Sequence, residues 1–334
     1  MDNLTHSLVG LTAAKAGLEK LSPGATVLCI LAANAPDADI VVLAFGDRWD
    51  VLQHHRGITH SIVGVIALAI LLPLIFYFVD RLWSRFRNRP PVTRLKGLLL
   101  ASFIVSATHP LLDWTNNYGI RLLLPWSPKW SYGDLVFIVD PYLWLILGAA
   151  AILLTARFVK FKNARDRWGR KIALTAFALV LCYWTFLAIL HARALSLGTE
   201  AATRLASAHG ETVGRLAAMP RLANPFRWDF VFDTDRATYR FYVDVTGDTT
   251  ASRADRYAKP TGELKAALDS IGQQRPVRVF LGFARFPVLQ FEDPDCVTRT
   301  LVQIADLRYT EPGQSRGNFS LEVPVDCPNE HSGR

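Results

Sequence analysis

Cysteine and charged residues are scarce in this sequence. Four cysteines among 334 residues are too few for a disulfide-dense secreted miniprotein. Charged residues make up only 20% of the chain and hydrophobic residues 51%, which excludes a disordered or fibrous protein. The length leaves room for two domains of roughly 150 residues each. These averages fit either a soluble two-domain enzyme or a membrane protein with a soluble part.

A basic stretch before the first apolar run is also lacking, so the N-terminal region does not resemble a signal peptide. Instead, Leu4–Leu21 and Ala25–Phe45 have helical patterning and are separated by the turn signal Ser22-Pro23-Gly24. We expect these two segments to form a helical hairpin that spans or re-enters the membrane.

Long apolar runs follow this hairpin, and most of them have about the length that crosses a hydrocarbon core. The runs are Ser61–Val79, Gly97–Leu112, Val136–Ala156 and Ile172–Leu190. One such run is compatible with a buried helix of a soluble protein, but several in succession indicate a membrane protein. We therefore predict a mainly α-helical, polytopic membrane bundle of about four to six spans within residues 1–193.

Much of the net charge of +8 comes from two basic loops between these runs. The loops are Arg81–Lys96 and Arg157–Lys171, and such loops are typical of the cytoplasmic side of membrane proteins. We interpret the basic charge as a topology signal and not as a nucleic-acid footprint. With both loops in the cytoplasm, Gly46–His60 and everything after His191 lie outside it. The C-terminal domain is therefore predicted to be extracytoplasmic.

The last third of the chain changes to alternating apolar and polar residues, which is typical of β-strands. The predicted strands are Trp228–Phe232, Thr238–Val245, Val277–Leu281, Val288–Phe291, Leu301–Tyr309 and Phe319–Val323. With a short helix expected at Glu263–Ile271, residues 222–334 are predicted to form a small β-rich α+β domain. A helical linker, residues 194–221, joins it to the bundle. Cys296 and Cys327 fall in this domain, and the sequence is compatible either with a disulfide between them or with two free thiols.

Histidine and aspartate concentrate in four short motifs of the predicted membrane region. The motifs contribute His6, the pair Asp37 and Asp39, the pair His55 and His60, and the pair His109 and Asp113. His109 and Asp113 are four residues apart and so share one face of a helix. Pro36 lets a turn present both aspartates, and Gly57 suits a tight loop that brings its flanking histidines together.

In the predicted topology, all four motifs fall toward the same, outer ends of their helices. Ionisable groups at membrane depth are costly unless they are paired or bound to metal. Imidazole together with carboxylate suits zinc or another first-row divalent ion. Each motif alone has an ordinary explanation, such as a hydrogen-bonded helical histidine or a helix cap. Their convergence from four segments is what predicts a metal site.

The combined motifs resemble the YdjM family of inner-membrane, metal-dependent hydrolases. The likeness rests on the N-terminal helical histidine, Pro-Asp-x-Asp at 36–39, His-Arg-Gly-x-Thr-His-Ser at 55–61 and His-x-x-x-Asp at 109–113, and it covers residues 1–125 well. It implies a bacterial inner-membrane protein with the metal ligands His6, Asp37, Asp39, His55, His60, His109 and Asp113. Some relatives carry a further histidine where this chain has Ile40, whereas His54 is extra here.

The mechanism implied by the resemblance is hydrolysis assisted by one or two divalent ions, zinc above all. Asp37 or Asp39 could act as a general base or orient a ligand, and Asp39 is the candidate catalytic residue of the two. Arg56 could hold an anionic oxygen of the substrate, or else contact a lipid headgroup or the protein itself. These features favour a phosphoester or lipid-linked substrate at the membrane surface. The expected partners are membrane lipids and this substrate, and not nucleic acid.

Two other function classes stay open at this point. An ion- or proton-coupled transporter would use the same ionisable residues, but we find no convincing repeat between the two halves of the membrane region. A non-catalytic scaffold would hold a structural metal in a closed site. The seven candidate ligands exceed the four that one closed tetrahedral site needs, which favours catalysis or two ions.

Overall fold

The computed structural model describes residues 1–155, 162–247, 253–291, 299–310 and 319–326. Cys296 and Cys327 lie outside the described residues, as do the first residues of the second basic loop and the last of the predicted run Val136–Ala156. The chain divides into two compact units. The first comprises Met1–Phe45, His54–Ile189 and Leu222–Asn224, and the second comprises Gly46–Gln53, Leu190–Arg221 and Pro225–Arg334.

Apolar helices make up most of the N-terminal part. The α-helices that precede the first strand are α1 (Asn3–Lys15), α2 (Ala25–Asn34), α3 (Arg48–His54), α4 (Ile62–Phe86), α5 (Leu95–Trp114), α6 (Pro141–Thr155) and α7 (Lys162–Ala208). Within the described residues, four helical segments are long and apolar enough to cross a membrane: Ala25–Ala44, Ile62–Phe86, Leu95–Trp114 and Arg167–Ala208. Helix α6 is apolar but shorter. The predicted polytopic helical fold is thus confirmed.

The second predicted helix changes its geometry at a proline. Helix α2 ends at Asn34, and a 3-10 helix continues over Ala35–Ala44. Pro36 lacks the N–H that a continuing α-helix would use, and its ring clashes with the preceding turn. Both motif aspartates therefore lie on the 3-10 helix, immediately after the break.

The predicted run Val136–Ala156 becomes helical only at Pro141. Asp140 caps this helix, because its Oδ1 accepts hydrogen bonds from the N–H groups of Tyr142 and Leu143 at 2.9 and 3.0 Å. Proline at the first helical position loses no helical hydrogen bond. The chain between α5 and α6 is consequently an irregular loop.

Two antiparallel sheets and two helices form the C-terminal part. The first sheet has the order β1 (Val213–Arg221), β2 (Asn224–Thr234), β3 (Ala237–Asp244) and β4 (Asp255–Ala258), and the second has the order β5 (Pro287–Phe291), β6 (Arg299–Asp306) and β7 (Ser320–Asp326). Between them lie α8 (Gly262–Ile271) and α9 (Arg275–Phe283). In the central hairpin, Phe230 pairs with Phe241. Aromatic residues of this hairpin pack with alanines from the last turns of α7.

Several local predictions for this part are corrected by the structure. Val277–Leu281 was predicted as a strand but belongs to helix α9, since the buried residues Val277, Phe280 and Phe283 recur every three positions. The predicted helical linker is helical only to Ala208, and β1 begins at Val213. Strand β4 was not predicted. Helix α8 and strands β2, β3, β5 and β7 lie where they were expected, and β6 (Arg299–Asp306) ends before the predicted end at Tyr309.

Gly198 on α7 permits close contact with the first sheet. A Cβ atom at this position would lie 2.1 Å from the buried ring of Phe230. We expect Gly198→Ala to lower the stability of the C-terminal part by about 1–3 kcal/mol through overpacking. Thermal unfolding and limited proteolysis of the full chain measure this. Gly282→Ala is the matched control, because a Cβ atom there meets nothing within 4 Å. Equal melting temperatures for the two variants would contradict the expectation.

Candidate metal centre

The His and Asp motifs converge in the first unit although they lie on separate segments. Helix α1 carries His6, the 3-10 helix carries Asp37 and Asp39, the loop before α4 carries His55 and His60, and α5 carries His109 and Asp113. Two groups of ligand atoms, each within 4.8 Å of one another, could hold a metal ion: Asp37, His60, His109 and Asp113, and Asp37, Asp39 and His55. Asp37 belongs to both groups.

The first group, named here the four-ligand set, is mostly buried. His60 Nε2 lies 3.2 Å from Asp37 Oδ1 and 3.3 Å from Asp113 Oδ2. His109 Nε2 lies 3.3 Å from Asp113 Oδ2, 3.6 Å from Asp37 Oδ1 and 3.0 Å from His60 Nε2. The ligand atoms of a tetrahedral zinc site are about 3.3 Å apart, given zinc–ligand bonds of about 2.0–2.1 Å. The spacing of the set therefore fits a tetrahedral divalent ion.

Hydrogen bonds on the far side of each imidazole aim it at the set. His109 Nδ1 lies 2.6 Å from the Ala33 carbonyl oxygen. A carbonyl only accepts, so Nδ1 carries the proton and Nε2 presents its lone pair to the set. His60 Nδ1 lies 3.0 Å from Thr59 Oγ1 and 3.4 Å from Asp39 Oδ2. Partners of this kind fix the orientation of metal-binding histidines and raise their basicity.

His55 is the most accessible imidazole of the cluster, and Asp39 is its partner. His55 Nδ1 lies 2.9 Å from Asp39 Oδ1, and its side chain is 22% exposed. Asp39 Oδ2 accepts hydrogen bonds from the Arg56 N–H at 3.0 Å and the Thr59 hydroxyl at 3.1 Å. The carboxylate of Asp39 thus stabilises the conformation of the loop before α4 and faces the imidazoles of both His55 and His60.

Arg56 points into the cluster. Its side chain is 4% exposed, and its Nη2 donates to Asp113 Oδ1 at 2.9 Å. Nη1 donates to Asn116 Oδ1 at 3.0 Å, and the guanidinium carbon lies 4.5 Å from the centroid of the Tyr118 ring. The backbone of Arg56 has a φ of 53°, a conformation that costs free energy for a residue other than glycine. This turn lets its N–H reach Asp39.

His6 completes the cluster from α1. Its ring stacks on that of His109 with a centroid distance of 3.9 Å, and its Nε2 lies 3.4 Å from Asp113 Oδ1. Among the described residues, neither ring nitrogen of His6 has a hydrogen-bond partner, and neither does Asp113 Oδ2. Buried polar atoms are rarely left in this state unless something else occupies the site. These atoms fit a bound cation.

The electrostatics of the cluster also favour a cation. The cluster holds the three carboxylates of Asp37, Asp39 and Asp113, and the Arg56 guanidinium and the Met1 amino group both contact only Asp113 among them. Burial alone would lower the pKa of His60, but its bonds to the carboxylates of Asp113, Asp37 and Asp39 raise that pKa to about 10. A site that increases the proton affinity of an imidazole also attracts a metal ion.

Several supporting residues were not predicted. The Ala33 carbonyl and the side chains of Thr59, Asn116 and Tyr118 all contact predicted site residues. A backbone carbonyl leaves no signal in the side-chain pattern. Asn116 and Tyr118 follow the His109 motif directly, so their closeness along the chain to Asp113 was the one signal available.

These features define a class: a polytopic membrane protein whose helices enclose a His/Asp cluster that could bind a metal ion. The chain belongs to the YdjM inner membrane protein family, whose model matches residues 1–194. The resemblance deduced from the four motifs is thereby confirmed, and the match extends through the later helices.

Two curated bacterial proteins are similar to this chain. The uncharacterized protein YfhP of Bacillus subtilis (strain 168) is 29% identical over 163 residues, which is 46% of each protein. Inner membrane protein YbcI of Escherichia coli (strain K12) is 32% identical over 129 residues, or 38% of this chain and 68% of YbcI. The matched region thus spans about half the length of YfhP and two thirds of YbcI. No solved structure matches.

Removing a donor from the four-ligand set should release the bound ion. We expect His60→Ala and Asp113→Asn each to lower the divalent metal content of the purified protein at least about tenfold. Elemental analysis by mass spectrometry measures this content. His54→Ala is the matched control, because His54 is exposed beside the same loop and should be dispensable. Wild-type protein without stoichiometric metal would refute the site.

Proposed function

We propose that this protein is a membrane-bound, metal-dependent hydrolase that acts on a phosphoester or lipid-linked substrate at the membrane surface. The observation that carries the proposal is the four-ligand set, in which two imidazoles and two carboxylates have the spacing of a tetrahedral ion. Mixed nitrogen and oxygen donors favour zinc, since magnesium and calcium prefer oxygen ligands alone.

The residues of the cluster have separate tasks in the proposed reaction. The ion would be held by Asp37, His60, His109 and Asp113. A bound divalent ion lowers the pKa of a water molecule and polarises an electrophile. Asp39 orients the imidazole of His55 through Nδ1, so that Nε2 of His55 accepts or donates a proton on the accessible side of the cluster. Arg56 neutralises Asp113 and keeps it in place.

The 3-10 helix supports a substrate that resides in the membrane. Directly after the two site aspartates, Ile40, Val41 and Leu43 expose 49%, 60% and 52% of their surface. Apolar side chains exposed on a membrane domain are suited to contact with lipid. The carboxylates and this apolar surface belong to one short element, so a lipid-linked substrate can reach the cluster without leaving the bilayer.

A catalytically inactive scaffold is the second candidate, because four protein ligands complete a tetrahedral site without an open position. Two features favour catalysis: the carboxylate of Asp37 within the set is 11% exposed, and the pair of Asp39 and His55 lies beside the set. A zinc ion can expand to five ligands during a reaction, and the substrate would approach on that side.

An activity screen separates these two candidates. Purified protein should hydrolyse a member of a panel of phosphomonoesters, phosphodiesters and phospholipids, lose this activity with a chelator and regain it with zinc. His60→Ala should abolish turnover, and His54→Ala should preserve it. If the metal-loaded wild type turns over no member of the panel, the scaffold is the better description.

We also propose that the cluster and the C-terminal part lie outside the cytoplasm, because the two basic loops favour the cytoplasmic side. An alkaline phosphatase fused after Arg334 should then be active, since that enzyme folds productively only outside the cytoplasm. A fusion after Arg87, in the first basic loop, is the matched control and should be inactive. The opposite result for both fusions would invert the topology.

A further inference from the structure

Arg121 is a second arginine at the cluster, on the loop between α5 and α6. Its Nη2 lies 3.4 Å from the carbonyl oxygen of His55, and its backbone N–H donates to the carbonyl of Arg56 at 3.3 Å. A Cβ atom at position 57 would lie 2.5 Å from the His54 carbonyl oxygen and 3.0 Å from Arg121 Nη2, so Gly57 fits the close packing at this point. Arg121 therefore lies against the loop that carries the accessible His55.

Aromatic side chains hold the Arg121 guanidinium in a fixed orientation. Its central carbon is 4.8 Å from the centroid of the Trp130 ring. Trp130 packs edge-on against Tyr118 at 6.1 Å, and Tyr118 packs against His55 at 5.7 Å. Stacking on an aromatic face restricts a guanidinium before any ligand arrives. The row of rings connects Arg121 to the accessible side of the cluster.

The two arginines differ in their exposure and in their partners. Arg56 is nearly inaccessible and bonds to groups inside the cluster, whereas Arg121 is half-buried. A partly desolvated guanidinium attracts an anion more strongly than one at an open surface.

We propose that Arg121 is the phosphate-binding residue of this site and holds an anionic phosphoryl group of the substrate against the Trp130 platform. This inference rests on the proposed hydrolase function and narrows its substrate class to phosphate esters. A guanidinium offers donors in a planar fork that matches two phosphate oxygens, which an ammonium group cannot do. The sequence analysis gave this task to Arg56 as one of two alternatives, and in the structure the Arg56 guanidinium donates to Asp113 and Asn116 inside the cluster.

The same loop suggests a lipid as the source of the phosphate. Leu123 and Trp126 are 51% and 75% exposed, and tryptophan is enriched at the interface between membrane and water. A lipid headgroup and a soluble ester share the phosphate chemistry, so the experiment must include both.

Substitution of Arg121 tests the proposal. In metal-loaded protein, Arg121→Gln should raise the Kd for inorganic phosphate and the KM for a phosphate ester about 10- to 100-fold, with kcat changed less than about threefold. Arg121→Lys should recover part of this loss, because it keeps the charge without the fork. Lys129→Gln removes an exposed charge from the same loop and should leave both constants unchanged.

Several outcomes would overturn the proposal while leaving the hydrolase function intact. A lower metal content or melting temperature in Arg121→Gln would show that Arg121 stabilises the His55 loop and does not bind the substrate. Unchanged Kd and KM would exclude a role in binding. The fold-change in affinity should be the same for the soluble ester and for vesicles that contain phosphatidic acid. A change confined to vesicles would show that Arg121 binds the membrane and not the reacting phosphate.

If the wild type hydrolyses nothing but its phosphate affinity depends on Arg121, the proposed function fails and the phosphate site stands.

Discussion

The burial of the Asp113 carboxylate is the constraint on which the membrane part depends. An isolated carboxylate in an apolar interior is so costly that it must be paired, bound to metal or protonated. Basic side chains lie within 3.4 Å of both Asp113 oxygens, with Arg56 and His6 near Oδ1 and with His60 and His109 near Oδ2. These partners come from α1, from the loop before α4 and from α5 itself. The need to compensate one charge therefore brings distant segments of the chain together.

The cluster forms where regular secondary structure stops. Pro36 converts a helix into a 3-10 helix just before Asp37 and Asp39, and Arg56 adopts a positive φ. Regular helices would send these side chains in directions set by the helical repeat. The breaks redirect them toward a common point, and a strained residue is tolerated because its bonds to Asp39 and Asp113 hold it.

Much of the architecture and the clustering of the site motifs could be predicted from sequence, because both depend on simple periodicities. Apolar run lengths identified the membrane helices, and the four-residue separation of His109 and Asp113 placed them on one helical face. The alternating apolar residues of Val277–Leu281 misled the prediction, since a short apolar run fits a strand and a helix equally well. Strand β1 was missed because its Leu-Ala-Ala-Met stretch (216–219) has helical propensity, and pairing with β2 overrides that propensity.

Contacts made by the backbone and by loops were beyond sequence reasoning. The sequence left several roles open for Arg56. Its hydrogen bond to Asp113 depends on the conformation of the loop, which the sequence does not reveal. Arg121 lies 65 positions after Arg56 in the sequence, and no periodicity relates an irregular loop to a residue on another segment. The pairing of Cys296 with Cys327 and the side of the membrane on which the C-terminal part lies stay predictions.

The bond between the Ala33 carbonyl and His109 Nδ1 gives α2 a fixed length. Ala33 lies in the last turn of the helix, where carbonyl groups have no partner within the helix. Each inserted or deleted residue would rotate that carbonyl by about 100° around the helix axis, and the imidazole would lose the group that holds its proton. Point substitutions on the exposed face of α2 are compatible with the cluster, whereas a change of one residue in its length is not. Among homologous chains, α2 should therefore vary in composition but not in the number of residues before the proline.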